Sequence, residues 1–497
     1  MLKNKISDKW LYFAIIVLVI YLVIRIINLY GIVEEFPLDF SNDHSAHMSD
    51  LYFLEKYGYG ENILNWYTFV GGYPLLKFYH PARTFYGMFF YYLLGSVEAA
   101  TYFAMVSIII LGFIVIYLLG KYYGLSPVKR IAMFALFFAN PILIGYYRIG
   151  RHSEIFGFLW MILFIFIVLW YKDRKIDWKF LWFIPVYSLL LLSHISIFLI
   201  SSMLILSLLL VKKNRERIVI LLSCFATFLL TAFWTIPFVR DSSETFVGGF
   251  YGLQRTLLLF TKETLIDRVS SYAIPLIFFF VFYLYYKTNK NKRELIFYSI
   301  PLVIGALFFT RILAFVPILN RPVPDTYNMF FLFLSIYLFL NLRSDKLLSY
   351  EKNIIKYGLI IIPIAAVLLS LNFTSFYHGH DQENKDIISL FPYVDDQLLI
   401  IGINGYPRPY YSYGAVYYDI YTPSGWGSQS VSKEARGKSG LPNKYLIDGN
   451  CDLFLKSMKD IGGKEIITRD DNCNFLIKCG MNPIRYSNSI CLLKIKE

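Results

Sequence analysis

Charge is scarce in this sequence: of 497 residues only 17% are Asp, Glu, Lys or Arg, while 57% are hydrophobic. An ordinary soluble domain is about a quarter charged, so apolar surface in this excess must face lipid. Cysteine is also scarce, five in all, and four of the five (Cys451, Cys473, Cys479 and Cys491) lie near the C-terminal end. Their spacings contain no close C-x2-C pair of the kind zinc sites use, which leaves disulfides or free thiols, with the pairing open. No nucleophile elbow, phosphate loop or HExxH occurs, so the usual chemistry of soluble hydrolases, NTPases and zinc proteases has no home here.

What is present is a series of apolar runs long enough to cross a bilayer, for which roughly 20 residues suffice. They fall at 10–29, 99–119, 131–147, 155–171, 180–192, 195–211, 218–238, 272–286, 295–313, 327–342 and 354–371. The segment at 83–95 is apolar and aromatic but would break the alternation of charge; it reads as an interfacial helix or an outer extension of the second span. The first run is long and lacks a small-residue cleavage site, so it reads as a span and not as a signal peptide.

The net charge of +13 has the sign that nucleic acid attracts, but its distribution explains it better. Every second loop is basic: Lys3, Lys5 and Lys9; Lys121, Lys129 and Arg130; Lys172, Arg174, Lys175 and Lys179; Lys212, Lys213, Arg215 and Arg217; Lys287, Lys290, Lys292 and Arg293; Arg343, Lys346 and Lys352. By the positive-inside rule these loops and the N-terminus are cytoplasmic. The acidic loop at 34–61 and everything after residue 371 are then extracytoplasmic. The expected architecture is a polytopic α-helical membrane protein of about eleven transmembrane helices over residues 1–371. Residues 372–497 follow as an extracytoplasmic α+β domain, with a helix at 453–461, strands at 464–468, 475–478 and 490–495, and an irregular Tyr- and Gly-rich stretch at 406–426.

The outer loop at 31–81 is too long and polar for a plain connection. Within it, Asp43, His47 and Asp50 share one helix face, a grouping suited to general base work or to a divalent cation such as Mg or Mn. A helix cap followed by a solvated polar face would have the same spacing, and His44 adds a second imidazole. Basic residues also occur where the positive-inside rule leaves few: Arg148 and Arg151, with His152 and Glu154 beside them, and Arg240, Arg311 and Arg321 at outer span ends. Several arginines at one depth suit a lipid phosphate. Each could instead pair with Glu154, Asp241 or Asp325, or snorkel to water. His194, in the turn of an apolar hairpin, could orient a carboxylate, meet a phosphate or cap the turn. The 41 tyrosines and 45 phenylalanines are explained mostly by membrane-interface belts and lipid-facing rings.

These residues together resemble a family. A first span, a long outer loop with Asp43 and His47, and then Gly72-Tyr73-Pro74 with Tyr79 and Pro81 resemble the GT-C membrane glycosyltransferases. Among these, the multispan proteins described as 6-pyruvoyl-tetrahydropterin-synthase-related are the most similar. The Ser193-His194 turn, the run from Phe233 to Phe238 and the stretch from Gly462 to Ile467 also look similar. The resemblance implies transfer of a sugar from a polyprenyl-phosphate donor to a glycan, lipid or protein acceptor, with Asp43 as base and His47 beside it. Arg148, Arg151, His152, Arg311 and Arg321 are then candidates for the donor phosphate, supported by His44, Asp50, Glu154 and His194. The resemblance leaves metal dependence open: related monophosphate-donor enzymes often need none, and Asp43, His47 and Asp50 could hold a divalent cation. The WWDYG signature of oligosaccharyltransferases is absent. A transporter or flippase, the main rival, usually places ionisable groups near the bilayer midplane, whereas here they cluster at outer span ends. A noncatalytic scaffold presenting the C-terminal domain is the third reading.

Overall fold

A computed structural model of the chain describes residues 5–34, 43–77, 79–241, 252–258, 265–373, 381–404, 407–425 and 431–496. Each of the eleven apolar runs falls on a helix or a pair of helices. Among the described residues four helices are long and apolar enough to cross a membrane: Lys9–Val33, Val97–Tyr122, His152–Lys172 and Asp267–Asn289. Two further candidates are bent pairs, Pro127–Phe138 with Pro141–Ile149 at 51° and Asn214–Leu230 with Ala232–Asp241 at 78°. The first bend has a local cause: the Asn140 side chain accepts from Leu143 N–H, and Pro141 at the first helical position starts a new helix. His152–Lys172 is the most enclosed of the spans, so the residues at its start are held by neighbours on several sides. The chain is a multi-pass membrane protein.

The segment at 81–94 forms a helix of its own, Pro81–Leu94. Gly95, at φ +68°, and Ser96 turn the chain back, and Tyr86 Oη meets Ser107 Oγ at 2.6 Å across the resulting pair. It is therefore an antiparallel partner of Val97–Tyr122: of the two expected alternatives, an outer extension of the second span is corrected, and a separate helix is what forms.

The basic loops collect at one end of the bundle. Lys172 pairs with Glu294, Arg293 donates to the Lys172 carbonyl at 2.7 Å, and Lys212 donates to the Arg174 carbonyl. Lys287 pairs with Glu351 at 2.7 Å, Lys346 donates to the Thr288 carbonyl at 3.1 Å and Lys129 to the Leu340 carbonyl at 2.5 Å. Asp43, His80, Glu154, His194 and Trp234 meet at the other end.

The C-terminal region builds a four-stranded sheet in the order β3-β4-β6-β5, numbered after a two-stranded pair in the first loop, β1 (Asn62–Ile63) and β2 (Tyr73–Pro74). β3 (Leu398–Ile400) is parallel to β4 (Glu465–Arg469); β6 (Ile490–Ile495) runs antiparallel to both β4 and β5 (Met481–Ser487). Alternation along the strands sends Ile400, Ile467 and Leu492 to one face, against Ile387 and Tyr410, and Leu399, Ile466 and Leu493 to the other, against Phe454 and Leu476. Disulfides Cys451–Cys479 and Cys473–Cys491 fasten the helices of the second face to each other and to β6. Two local expectations are corrected. The strand expected at 475–478 is part of the helix Asp471–Lys478, and the stretch at 406–426 contains the helix Arg408–Tyr418.

This sheet region is tied to the first loop. Thr422 N–H donates to the Asn65 carbonyl at 2.8 Å, Thr68 Oγ1 donates to Gln397 at 2.8 Å, and Trp66 and Thr422 form a parallel bridge. Maleimide labelling of the denatured, unreduced protein is expected to modify one thiol, Cys224, and all five after reduction. Five reactive thiols without reductant would contradict both disulfides.

Candidate functional site

The site forms where the first loop crosses the turn before His152–Lys172. Asp43 N–H donates to the Ile149 carbonyl at 2.8 Å. Gly150 makes this approach possible: it sits at φ +78°, and a Cβ on it would come within 2.5 Å of His44 N. Asp43 occupies the cap position of the helix His44–Tyr57, yet its side chain makes no cap bond. The polar face that follows is buried and not solvated: His44, Ser45, His47 and Ser49 are all enclosed.

Four groups then form a chain whose direction is fixed by chemistry. Arg83 Nη2 lies 2.5 Å from His152 Nδ1, His152 Nε2 lies 2.8 Å from His44 Nδ1, and His44 Nε2 lies 3.1 Å from the Arg148 carbonyl. A guanidinium only donates and a carbonyl only accepts. His152 must therefore accept through Nδ1 and donate through Nε2, and His44 does the same. Both rings are neutral, and neither keeps a lone pair for a metal or a proton. Arg83 also donates to the His47 carbonyl at 3.3 Å, and the His47 ring stacks on His152 with centroids 4.6 Å apart.

Burial raises the Asp43 carboxyl from its ordinary 3.8 to about 6, against the pull of Arg151 and Arg408 and with help from Glu154. Burial likewise raises Asp50 to about 7, opposed by Arg83, while His47 Nδ1 stands 3.6 Å from the Asp50 carboxylate. Burial and the charge of Arg83 keep the His47 imidazole neutral, well below its usual range. Glu154 Oε1 lies 3.5 Å from both Arg151 Nη1 and His194 Nε2. The His194 ring packs against His80, whose Nε2 accepts from Ile195 N–H at 2.9 Å. Trp234 Nε1 donates to the Leu76 and Tyr79 carbonyls at 3.2 and 3.0 Å, pinning the Gly-Tyr-Pro loop to the sharply bent helix pair.

Asp43, His44, His47, Asp50, Arg151, His152, Glu154 and His194 are thus brought together, and Arg148 supplies a carbonyl to the same junction. Arg311 has another setting, stacked 3.7 Å from the Tyr272 ring centre and donating to the Arg268 carbonyl at 3.2 Å. Arg321 is exposed in the turn before Pro324, and exposed Arg240 pairs with Asp241, which also takes Lys77 at 2.8 Å. Among the described residues no group of three or more His, Cys, Asp or Glu is arranged to hold a metal ion.

Sequence reasoning passed over Arg83 and Arg408. Arg83 carried a signal, being the sole charge in an apolar aromatic helix, where a retained charge needs buried partners. It also gave no role to Asp267, which together with Asp325 lies within electrostatic reach of Arg151.

This architecture is shared with solved structures of other proteins. The chain is similar to the oligosaccharyltransferase AglB of Archaeoglobus fulgidus in complex with an inhibitory peptide and a dolichol-phosphate. The TM-score is 0.56 at 11% identity, covering 91% of this chain and 69% of that one. A second structure of the Archaeoglobus fulgidus oligosaccharyltransferase, with Zn and sulfate, gives 0.54 at 12%, covering 90% and 68%. The arabinofuranosyltransferase AftD from Mycobacteria gives 0.52 at 11%, covering 97% of this chain and 40% of that one. No family model matches the sequence, and no curated protein sequence does.

Gly150→Ala is expected to destabilise the protein by at least about 2 kcal/mol, from the left-handed φ and the clash together; unchanged thermal unfolding would refute the close approach. The raised Asp43 carboxyl gives a second expectation. The folded state holds that proton more tightly than the unfolded one, so its contribution is complete below about pH 4, fades as pH rises, and is gone above about pH 6. Asp43→Asn should therefore stabilise the protein at pH 7–8 by on the order of 3 kcal/mol. The difference between variant and wild type should vanish in acid; a variant no more stable than wild type at neutral pH would contradict it.

Proposed function

We propose that the protein transfers a sugar from a polyprenyl-phosphate donor to an acceptor at the extracytoplasmic face of the membrane, with inversion and with Asp43 as the base. The observation that carries this is a partly enclosed carboxylate, Asp43, raised to about 6 and within electrostatic reach of Arg151 and Glu154, at the end of the bundle opposite the basic loops. The acceptor hydroxyl gives its proton to Asp43 as its oxygen bonds to the anomeric carbon. The bond from that carbon to the donor phosphate breaks, and its electron pair leaves with the polyprenyl phosphate. A base titrating near 6 is ionised at neutral pH yet basic enough to take a proton in the transition state. Arg151 stabilises the charge that gathers on the departing phosphate.

The gathering of basic loops at the far end supports a cytoplasmic N-terminus and an extracytoplasmic C-terminal domain. The donor class is supported by the fold shared with AglB, whose structure holds a dolichol-phosphate. The ligand set Asp43, His47 and Asp50 does not close around one point as a metal needs, and the His44 and His152 nitrogens are committed to hydrogen bonds. No step is therefore routed through a metal.

Asp43→Asn should lower the rate of sugar transfer by about 10²- to 10⁴-fold while leaving binding of a polyprenyl-phosphate sugar intact. In the wild type, kcat/KM should rise with pH and level off above about pH 6, where Asp43 is ionised. Full activity in Asp43→Asn would remove Asp43 from the mechanism.

A further inference from the structure

Glu154, in the first turn of the helix His152–Lys172, carries a carboxylate that two neighbours balance in charge but do not bond. Arg151 Nη1 and His194 Nε2 each stand 3.5 Å from its Oε1, beyond the range of about 2.7–3.2 Å over which an N–H donates to oxygen. Among the described residues no group donates a hydrogen bond to this carboxylate, and its side chain is 11% exposed. Its acceptor positions are therefore open to a ligand.

Behind Glu154 stand two imidazoles whose hydrogens are placed by chemistry. Ile195 N–H donates to His80 Nε2 at 2.9 Å, and a backbone amide only donates, so the neutral His80 ring carries its hydrogen on Nδ1. His80 is 8% exposed, and that Nδ1 meets no acceptor. In His194 the Nε2 faces a carboxylate, which only accepts; the hydrogen sits on that side and the Nδ1 lone pair is left over, buried and also without a partner. The two rings pack with centres 4.6 Å apart. Both are neutral: burial and the charge of Arg151 take His194 down to about 3, and burial beside His194 keeps His80 well below its usual range.

A buried N–H and a buried lone pair left unanswered both cost stability, and the ligand that relieves them must supply an acceptor to one and a donor to the other. A phosphate or carboxylate supplies acceptors alone and is repelled by Glu154. A metal ion meets a hydrogen on His80 where it needs a lone pair. A hydroxyl group is donor and acceptor at once, so hydroxyls can accept from His80 and donate to His194 and to Glu154. With Arg151 balancing Glu154, the place suits an uncharged polyol.

We propose that Glu154, His194 and His80 bind the hydroxyl groups of a sugar and so select which sugar the protein accepts. Calling it the sugar that is transferred rests on the glycosyl-transfer reading; hydroxyl binding itself does not. Under that reading Arg151, which meets the donor phosphate, is also the cation beside Glu154, and the sugar attached to that phosphate falls within reach of the three side chains.

The test is titration calorimetry on the full-length protein in detergent with farnesyl phosphate and with its D-glucosyl, D-mannosyl, D-galactosyl and D-arabinofuranosyl esters. At least one ester should bind about tenfold or more tighter than bare farnesyl phosphate. Glu154→Gln should remove most of that advantage while binding bare farnesyl phosphate within about threefold of wild type. The ester preferred names the sugar. No ester preferred over farnesyl phosphate, or an undiminished preference in Glu154→Gln, overturns the proposal; so does an equal loss of every ligand, which marks a structural role. Where Glu154→Gln fails to fold, His194→Gln decides, and a preference reduced by less than about threefold overturns it. If Asp43→Asn transfers sugar at full rate while Glu154→Gln loses the preference, the base assignment falls and the sugar site stands. If Asp43→Asn is inactive and the preference persists in Glu154→Gln, the sugar site falls and the base assignment stands.

Discussion

One backbone hydrogen bond, from Asp43 to Ile149 past a residue with no side chain, organises the end of the bundle opposite the basic loops. It sets the start of the loop helix against the start of the most enclosed span, with His44 and His152 buried where they meet. In such an enclosed setting a polar group must find a partner or lose its charge. His44 and His152 find partners and stay neutral; the carboxyl of Asp43 finds only partial compensation and holds its proton more tightly. The same contact that builds the junction therefore tunes the group inside it.

The two ends of the bundle treat charge in opposite ways. At the basic end, lysines and arginines are satisfied by acids and by carbonyls at the ends of neighbouring helices, a structural use that locks the loops together. At the other end Asp43, Glu154 and Asp325 all act on Arg151, and the histidines between them carry no charge.

The spans and the two-sided charge pattern were legible because a bilayer imposes both length and sign on the chain. Asp43 and His47 were legible because two charged or polar groups and a Gly-Tyr-Pro run stand out in an apolar sequence. The partners were not. Nothing local says that Arg83 reaches His152 or that Gly150 must lack a side chain, since both facts belong to segments far apart in sequence. In the C-terminal region the apolar residues at 475–477 suggested a strand, yet Asp470, Asp471 and Asn472 just before them favour a helix start. The helix Arg408–Tyr418 was hidden by its tyrosines, poor helix formers that form one here because Tyr410 and Tyr411 bury against the sheet.

The parallel bridge between Trp66 and Thr422 makes the membrane part and the sheet region share a wall. Gly425, at φ +151°, lies flat on the Trp66 indole, where a Cβ would come within 2.9 Å of the ring. A change of size on either side of this seam calls for a matching change on the other. The two halves therefore cannot be exchanged independently between relatives: a chimera that swaps the globular region alone would inherit a seam cut for a different tryptophan loop.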